Sequence, residues 1–193
     1  MKMNALTIIR KSLKNRIFSA LELEDIGITR YALKKLESDG IIEKVSHGVY
    51  MLRKMEFSRD EEYKAALFRV GEPSVVCLLS ALEYYDLTDI VPKEVWLMVP
   101  AHKRTRQKDI RILRTADLKL AVGILKKKDF LITSIERSIV DSLTHQRQLS
   151  VTIGIEALRR ALQLKKTTLS EIADTAKALK VSDRIRPYIE ALA

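Results

Sequence analysis

The chain has 193 residues, 47% of them apolar and 31% charged, which is enough apolar mass for one ordinary domain or for a small domain plus a medium one. No run of about 18 uncharged apolar residues occurs, and the N-terminus lacks a signal-peptide core, so the composition excludes a spanning helix and leads us to expect a soluble, cytoplasmic protein with no membrane partner. The formal charge is +10 and unevenly placed: residues 1–54 carry 11 Lys+Arg against 6 Asp+Glu, residues 55–100 carry 4 against 9, and residues 101–193 carry 20 against 10. Two basic ends around an acidic middle favour localised contacts with a polyanion.

The first elements expected are helices at about 3–14, 19–26 and 29–38, followed by strands at about 41–45 and 49–52. Ser19 and Glu22 have the spacing of a capping box, Gly27 permits a sharp turn, and Thr29 is placed to cap the third helix. At 100° per residue Ala32, Leu33 and Leu36 share one side of that helix. Arg30, Tyr31, Lys34 and Ser38 fall on the other, flanked by Lys35. Gly40 ends the helix, and "SHG" makes a short loop in which Gly48 can take positive φ. Leu6, Ile9, Leu13, Phe18, Leu21, Ile26, Leu33, Leu36, Ile41 and Val49 supply the expected apolar set.

A helix pair followed by a tight hairpin reads as a winged helix-turn-helix. In that arrangement the second helix of the pair fits the width of the major groove and the hairpin lies along the neighbouring backbone. The residues that face double-stranded DNA are then Thr29, Arg30, Tyr31, Lys34, Lys35 and Ser38 on the helix, and Ser46 and His47 in the loop. A solvated lysine face, or a winged helix used only to dock protein, is the alternative.

"RKMEFSRDEE" changes the sign of charge and loses periodicity, which places a linker at 55–60 between a DNA-binding domain (1–54) and a larger mixed domain (61–193). The larger domain is expected to hold helices at about 60–70 and 75–86 and strands at about 94–99, 109–114 and 129–133. Helices at about 134–146, 153–164, 168–179 and 182–192 complete it, giving an α+β fold with a helical C-terminal tail. Cys77 lies inside an apolar run and reads as a small core residue. Ser134 is a helix cap, and Arg137 and Asp141 stand four apart, the spacing of an ion pair on one helix face. Glu136, Arg137 and Asp141 therefore read either as a site or as an ion network that orients the helix. The second is favoured, because no neighbouring group in sequence supplies chemistry.

The densest positive patch is "AHKRTRQKDIRILR", residues 101–114, where Lys103, Arg104, Arg106 and Lys108 are candidate contacts for nucleic-acid phosphates. A solvated loop is the bland reading. His47, His102 and His145 have no metal-ligand spacing, and the glycines form neither a phosphate loop nor a dinucleotide fingerprint, so no metal, cofactor or catalytic residue is assigned. A metal-dependent nuclease built on Glu94 and Asp109 lacks the lysine that two-metal chemistry would want two positions after Glu94, where Trp96 stands.

The run "FSALELEDIGITRYALKKLESDGIIEKVSHGVYML" closely resembles the N-terminal winged-helix domain of AbiEi-type antitoxins. "SVVCLLSALEYYDLTD", "EVWLMVP" and "LITSIERSIVDSL" are similar to later segments of that family. One departure is His47, where family members often carry Arg before the glycine. The resemblance implies a winged-helix repressor of its own operon that also counteracts a nucleotidyltransferase-like toxin encoded beside it. It leaves open whether antitoxin and toxin touch, and whether the antitoxin binds DNA as a homo-oligomer. The basic stretch then has a second candidate role, facing the toxin or nucleic acid held by it. A plain regulator with a ligand-sensing or dimerising second domain is the alternative.

Overall fold

The computed structural model describes residues 7–9, 17–53, 58–116, 122–127 and 130–192. The chain forms two compact units, Met1–Glu72 and Pro73–Ala193.

In the first unit a short strand, β1 (Phe18–Ser19), leads directly into helix α1 (Ala20–Asp25). Ser19 makes the expected capping box: its Oγ accepts from the Glu22 amide at 3.1 Å, and Glu22 Oε2 accepts from the Ser19 amide at 2.8 Å. Two of the amides left open at the helix start are thereby satisfied. Gly27 turns the chain at φ +81, and Thr29 Oγ1 accepts from the Ala32 amide at 3.2 Å to start α2 (Arg30–Ser38). Strands β2 (Ile42–Ser46) and β3 (Val49–Leu52) follow as an antiparallel hairpin. β1 pairs on the far side of β3, so the sheet order is β1-β3-β2. Gly48 takes φ +72 in the turn, and the register shifts between Lys44 and Ser46, the mark of a bulge.

Ile9, Phe18, Leu23, Ile28, Leu33, Leu36 and Ile42 form the core of this unit. Two of the expected core positions are one or two residues out. Leu21 is 71% exposed while Leu23 is fully buried, and Ile42, rather than Ile41, fills the strand's inner position. A strand alternates faces with period two, so a one-residue error there exchanges inside for outside. Leu6 and Leu13, and most of the helix expected at 3–14, lie outside the described residues.

The domain boundary differs from the one expected. Helix α3 (Arg59–Val70), read from sequence as the start of the larger domain, belongs to the first unit. Ala65 of α3 packs with Ile17, Val49 and Met51, and Glu61 Oε2 accepts from the Ile17 amide at 2.8 Å. Of the expected linker, Arg59 and Asp60 are already helical, and residues 55–57 lie outside the described residues. The change of charge sign marks the acidic first turn of α3, where Asp60, Glu61 and Glu62 complement the helix dipole, and not an interdomain joint.

The second unit is built on a five-stranded sheet of order β6-β5-β4-β8-β7. Its strands are β4 (Val75–Val76), β5 (Val95–Pro100), β6 (Ile110–Thr115), β7 (Ile124–Lys127) and β8 (Phe130–Thr133). β5 is buried along its whole length and runs parallel to β6 and antiparallel to β4. Helices α4 (Leu78–Tyr84), α5 (Ile135–Thr144), α6 (Val151–Gln163), α7 (Leu169–Ala178) and α8 (Ser182–Glu190) complete it. The overall class is α+β.

Most expected elements appear within a residue or two. The helix expected at 75–86 begins only at Leu78, because Val75 and Val76 pair as a strand. Leu78 then adopts φ +46 to turn strand into helix within one residue. Helix α5 is the hub: it packs against α4, α6 and α7, and every residue from Arg137 to Thr144 is buried. Gly154 lets α6 approach α5 closely, since a Cβ there would meet Ser142 Oγ at 2.8 Å and Leu143 Cδ2 at 2.9 Å.

Candidate nucleic-acid interface

Helix α2 buries Leu33 and Leu36 and presents the opposite face to solvent. Tyr31 is 80% exposed, an unusual position for an aromatic ring, and Lys34 and Lys35 are exposed beside it. The Arg30 side chain is 86% exposed, and its Nε donates to Glu24 Oε1 of α1 at 2.9 Å. That hydrogen bond, and then the carboxylate's charge, raise the arginine's pKa. Arg30 is thus held at the start of α2 by a surface pair of the kind that water and salt readily loosen.

The other residues expected at the interface divide. Thr29 uses its hydroxyl in the helix cap, and Ser38 Oγ donates to the Lys35 carbonyl at 2.9 Å. His47 is exposed in the hairpin turn. Ser46 is not presented as expected: its hydroxyl is buried, without a hydrogen-bond partner among the described residues. The bulge just before it shifts which side chains face outward. The structure adds Lys44 and Arg53 to the exposed cations of this unit. The guanidinium of Arg53 lies over Gly40, where a Cβ would meet its Nη1 at 2.5 Å. Neither was singled out from sequence, because a lone cation on a strand, like Lys44, or just after one, like Arg53, carries no pattern.

The charge count also shifts in meaning. Residues 17–53 hold five Lys+Arg against six Asp+Glu, so the excess of the basic N-terminal segment comes from residues 1–16 and Lys54. The cationic character of the described part is local to α2 and the hairpin.

In the second unit, loop 101–109 connects the parallel strands β5 and β6 without a helix. Arg104 folds back on that loop, its Nη1 donating to the carbonyls of Ala101 and Lys103 at 2.9 Å, and Arg114 Nε donates to Lys103 O at 3.1 Å. Of the four cations named from sequence, Lys108 lines an open groove of about 580 Å³ beside β6, together with Arg111 and Arg114. Arg106 is exposed but does not line it, Lys103 is half-buried, and Arg104 is spent on the loop. Arg111 lies over the Trp96 ring at 4.4 Å from its centroid.

The Glu136, Arg137, Asp141 group resolves into a structural pair. Arg137 Nε donates to Asp141 Oδ2 at 2.8 Å with both side chains only 4% exposed. Its remaining nitrogens reach the Val122 carbonyl at 3.0 Å and Met98 Sδ at 3.6 Å. A charge this deep needs such a full set of partners. Glu136 is half-buried and takes no part in that pair. Cys77 is fully buried, and burial, then the nearby Asp141 charge, push its thiol well above the ordinary range, the opposite of an activated nucleophile. Among the described residues no three His, Cys, Asp or Glu side chains come together to hold a metal ion, and no helix is long and apolar enough to cross a membrane.

The first unit thus combines a short helix pair, an exposed cationic second helix and an antiparallel hairpin. Residues 8–53 match the family described as transcriptional regulator, AbiEi antitoxin, which bears out over that stretch the resemblance drawn from "FSALELEDIGITRYALKKLESDGIIEKVSHGVYML". The crystal structure of the RV2827C protein from Mycobacterium tuberculosis is similar to this chain, with a TM-score of 0.62 at 11% identity over 98% of this chain and 79% of that one. At that identity the likeness is one of fold. No curated protein matches the chain.

Proposed function

We propose that the protein is a cytoplasmic antitoxin that represses its own operon through the first unit and counteracts a nucleotidyltransferase-like toxin. The observation that carries this reading is a coincidence within one segment. Residues 8–53 match the antitoxin regulator family, and the same segment exposes Arg30, Tyr31, Lys34 and Lys35 along one helix. In this reading residues 17–53 act as a winged helix-turn-helix. α1 and α2 are the helix pair, joined at Gly27. α2 enters the major groove, where arginine and lysine meet guanine edges and phosphates and the Tyr31 ring contacts a thymine methyl or a sugar. The β2–β3 hairpin is the wing, with His47 at its tip against the backbone.

The second unit answers the toxin. Its core is the larger of the two, and its helices offer the area a protein partner needs. The test uses the full-length protein in cells that carry the neighbouring toxin gene and a reporter driven by the native promoter. Arg30→Ala with Lys34→Ala is expected to release the reporter while growth rescue persists. Rescue lost together with repression in a folded variant, or repression unaffected, overturns this division.

A further inference from the structure

The groove beside β6 follows the outer edge of the five-stranded sheet. One wall takes the consecutive residues Ile110, Arg111 and Ile112, and also Arg114; Thr105, Gln107 and Lys108 of the preceding loop, and Glu94 just before β5, line it as well. Neighbouring residues of a strand project to opposite faces, so a concavity that touches all of them runs along the edge and not over one face. β6 is the terminal strand of its sheet among the described residues.

The direction of its backbone groups follows from the ladder. The Val95 amide donates to the Asp109 carbonyl at 2.9 Å, which turns Asp109 toward β5. In a parallel pair alternate residues bond to the same neighbour, so Arg111 and Leu113 also face β5, while Ile110, Ile112 and Arg114 turn their N–H and C=O groups outward. Those three residues line the groove. The groove therefore holds strand backbone with no partner strand among the described residues, together with three cations against one carboxylate, Glu94. Two of the cations are already fixed, Arg111 by the Trp96 ring and Arg114 by the Lys103 carbonyl, so little side-chain freedom is left to lose on binding.

We propose that β6 accepts an extended, acidic segment of a partner protein as a sixth strand, with carboxylates of that segment meeting Lys108, Arg111 and Arg114. Charge selects this occupant. A second copy of the chain would set the same cations against one another, which is how edge strands avoid self-pairing. A phosphodiester backbone would satisfy the cations but would turn its own acceptors toward the outward carbonyls of Ile110 and Ile112. An added strand uses both sets of groups. At about 3.3 Å per residue, the stretch from Ile110 to Arg114 accommodates four or five residues of the guest. The surface goes beyond the proposed function by giving the second unit a partner-binding edge, and it does not depend on DNA recognition by the first.

The test is fluorescence anisotropy of full-length protein with a labelled octapeptide of repeating valine-glutamate-glutamate, which puts carboxylates on both faces of a strand, at fixed salt. The competitors are the same peptide N-methylated at alternate amides, a valine–lysine octapeptide and an oligothymidylate of equal length. We expect saturable binding of the valine–glutamate peptide, weakened about tenfold or more by N-methylation, which removes strand hydrogen bonds and leaves the charge. Ile112→Pro, which deletes an outward amide at a position where an edge strand tolerates proline, is expected to weaken it comparably. Lys108→Glu with Arg111→Glu is expected to abolish it, and this variant serves if the proline variant does not fold. No saturable binding, equal binding of the N-methylated peptide, or tighter binding of the oligonucleotide overturns the proposal. Failure here with intact promoter binding leaves the reading of the first unit standing.

Discussion

Two arginine–carboxylate pairs of similar length sit in opposite surroundings. Arg30 and Glu24 meet at 2.9 Å in the first unit with side chains 86% and 39% exposed, whereas Arg137 and Asp141 meet at 2.8 Å in the second unit almost without exposure. The exposed pair is screened by water and contributes little to stability, so its arginine can exchange a carboxylate for a phosphate. The buried pair has no water to exchange with, and losing either partner strands a charge in the core. An arginine–carboxylate pair is thus open to exchange in one place and fixed architecture in the other, and burial decides which.

The contrast breaks most visibly at Asp141. Asp141→Ala leaves the Arg137 guanidinium buried without its carboxylate and is expected to destabilise the second unit by about 3–5 kcal/mol. Urea unfolding followed by the fluorescence of Trp96, the chain's single tryptophan and a residue of this unit, measures it. The double replacement Arg137→Met, Asp141→Leu is expected to cost less than the single one, because no charge is left behind. A single variant as stable as wild type would remove the architectural role.

Packing around the buried pair supplies the next effect. Gly154→Ala drives a methyl into Ser142 and Leu143 of the same helix α5 and should cost about 1–3 kcal/mol in the same assay. Tyr85 borders that region, its hydroxyl donating to the Thr133 carbonyl at 2.9 Å. Burial first, then Tyr84 and Glu136, push its pKa up to about 12. A folded-state pKa above the unfolded value stabilises the protonated form. That contribution is complete below about pH 10, where an unfolded tyrosine titrates, and is lost as pH rises toward 12. Tyr85→Phe is therefore expected to flatten the alkaline fall in stability between those values, read from urea midpoints along a pH series.

How far this was legible in the sequence follows from which signals are local. Ser19 with Glu22, Thr29 and Ser134 announced their helices, because a cap is a contact between residues three apart. Thr168 with Glu171 makes a second full capping box by the same spacing. The long strands β5 and β6 showed in their apolar and alternating runs. β1 and β4 are two residues each and carry no period, and β7, "ILKK", alternates with nothing. Membership of α3 in the first unit depends on Glu61 reaching Ile17 across 44 positions, which no window of sequence reveals. At the candidate interface the exposed face of α2 was legible from its 100° periodicity. The burial of the Ser46 hydroxyl was not, because it follows from a bulge, and the tie between Arg30 and Glu24 follows from the angle at which Gly27 joins two helices.

The smallest expected effect sharpens the exposed side of the comparison. Glu24→Gln removes the negative charge that pairs with Arg30 beside the exposed face of α2, and should tighten promoter binding by a few-fold, in keeping with the roughly 0–1 kcal/mol of an exposed pair. Titration at two salt concentrations checks it, with the gain expected to shrink at the higher one.

The central claim, that the exposed face of α2 reads DNA, is tested most directly by mobility shift of the purified protein on its own promoter at fixed salt. Arg30→Ala with Lys34→Ala should preserve the circular dichroism spectrum and weaken binding at least tenfold, since a bidentate arginine contact alone accounts for about 1–3 kcal/mol. Preference for the promoter over unrelated duplex should fall with it. A folded double variant that binds as tightly and as selectively as wild type would contradict the assignment.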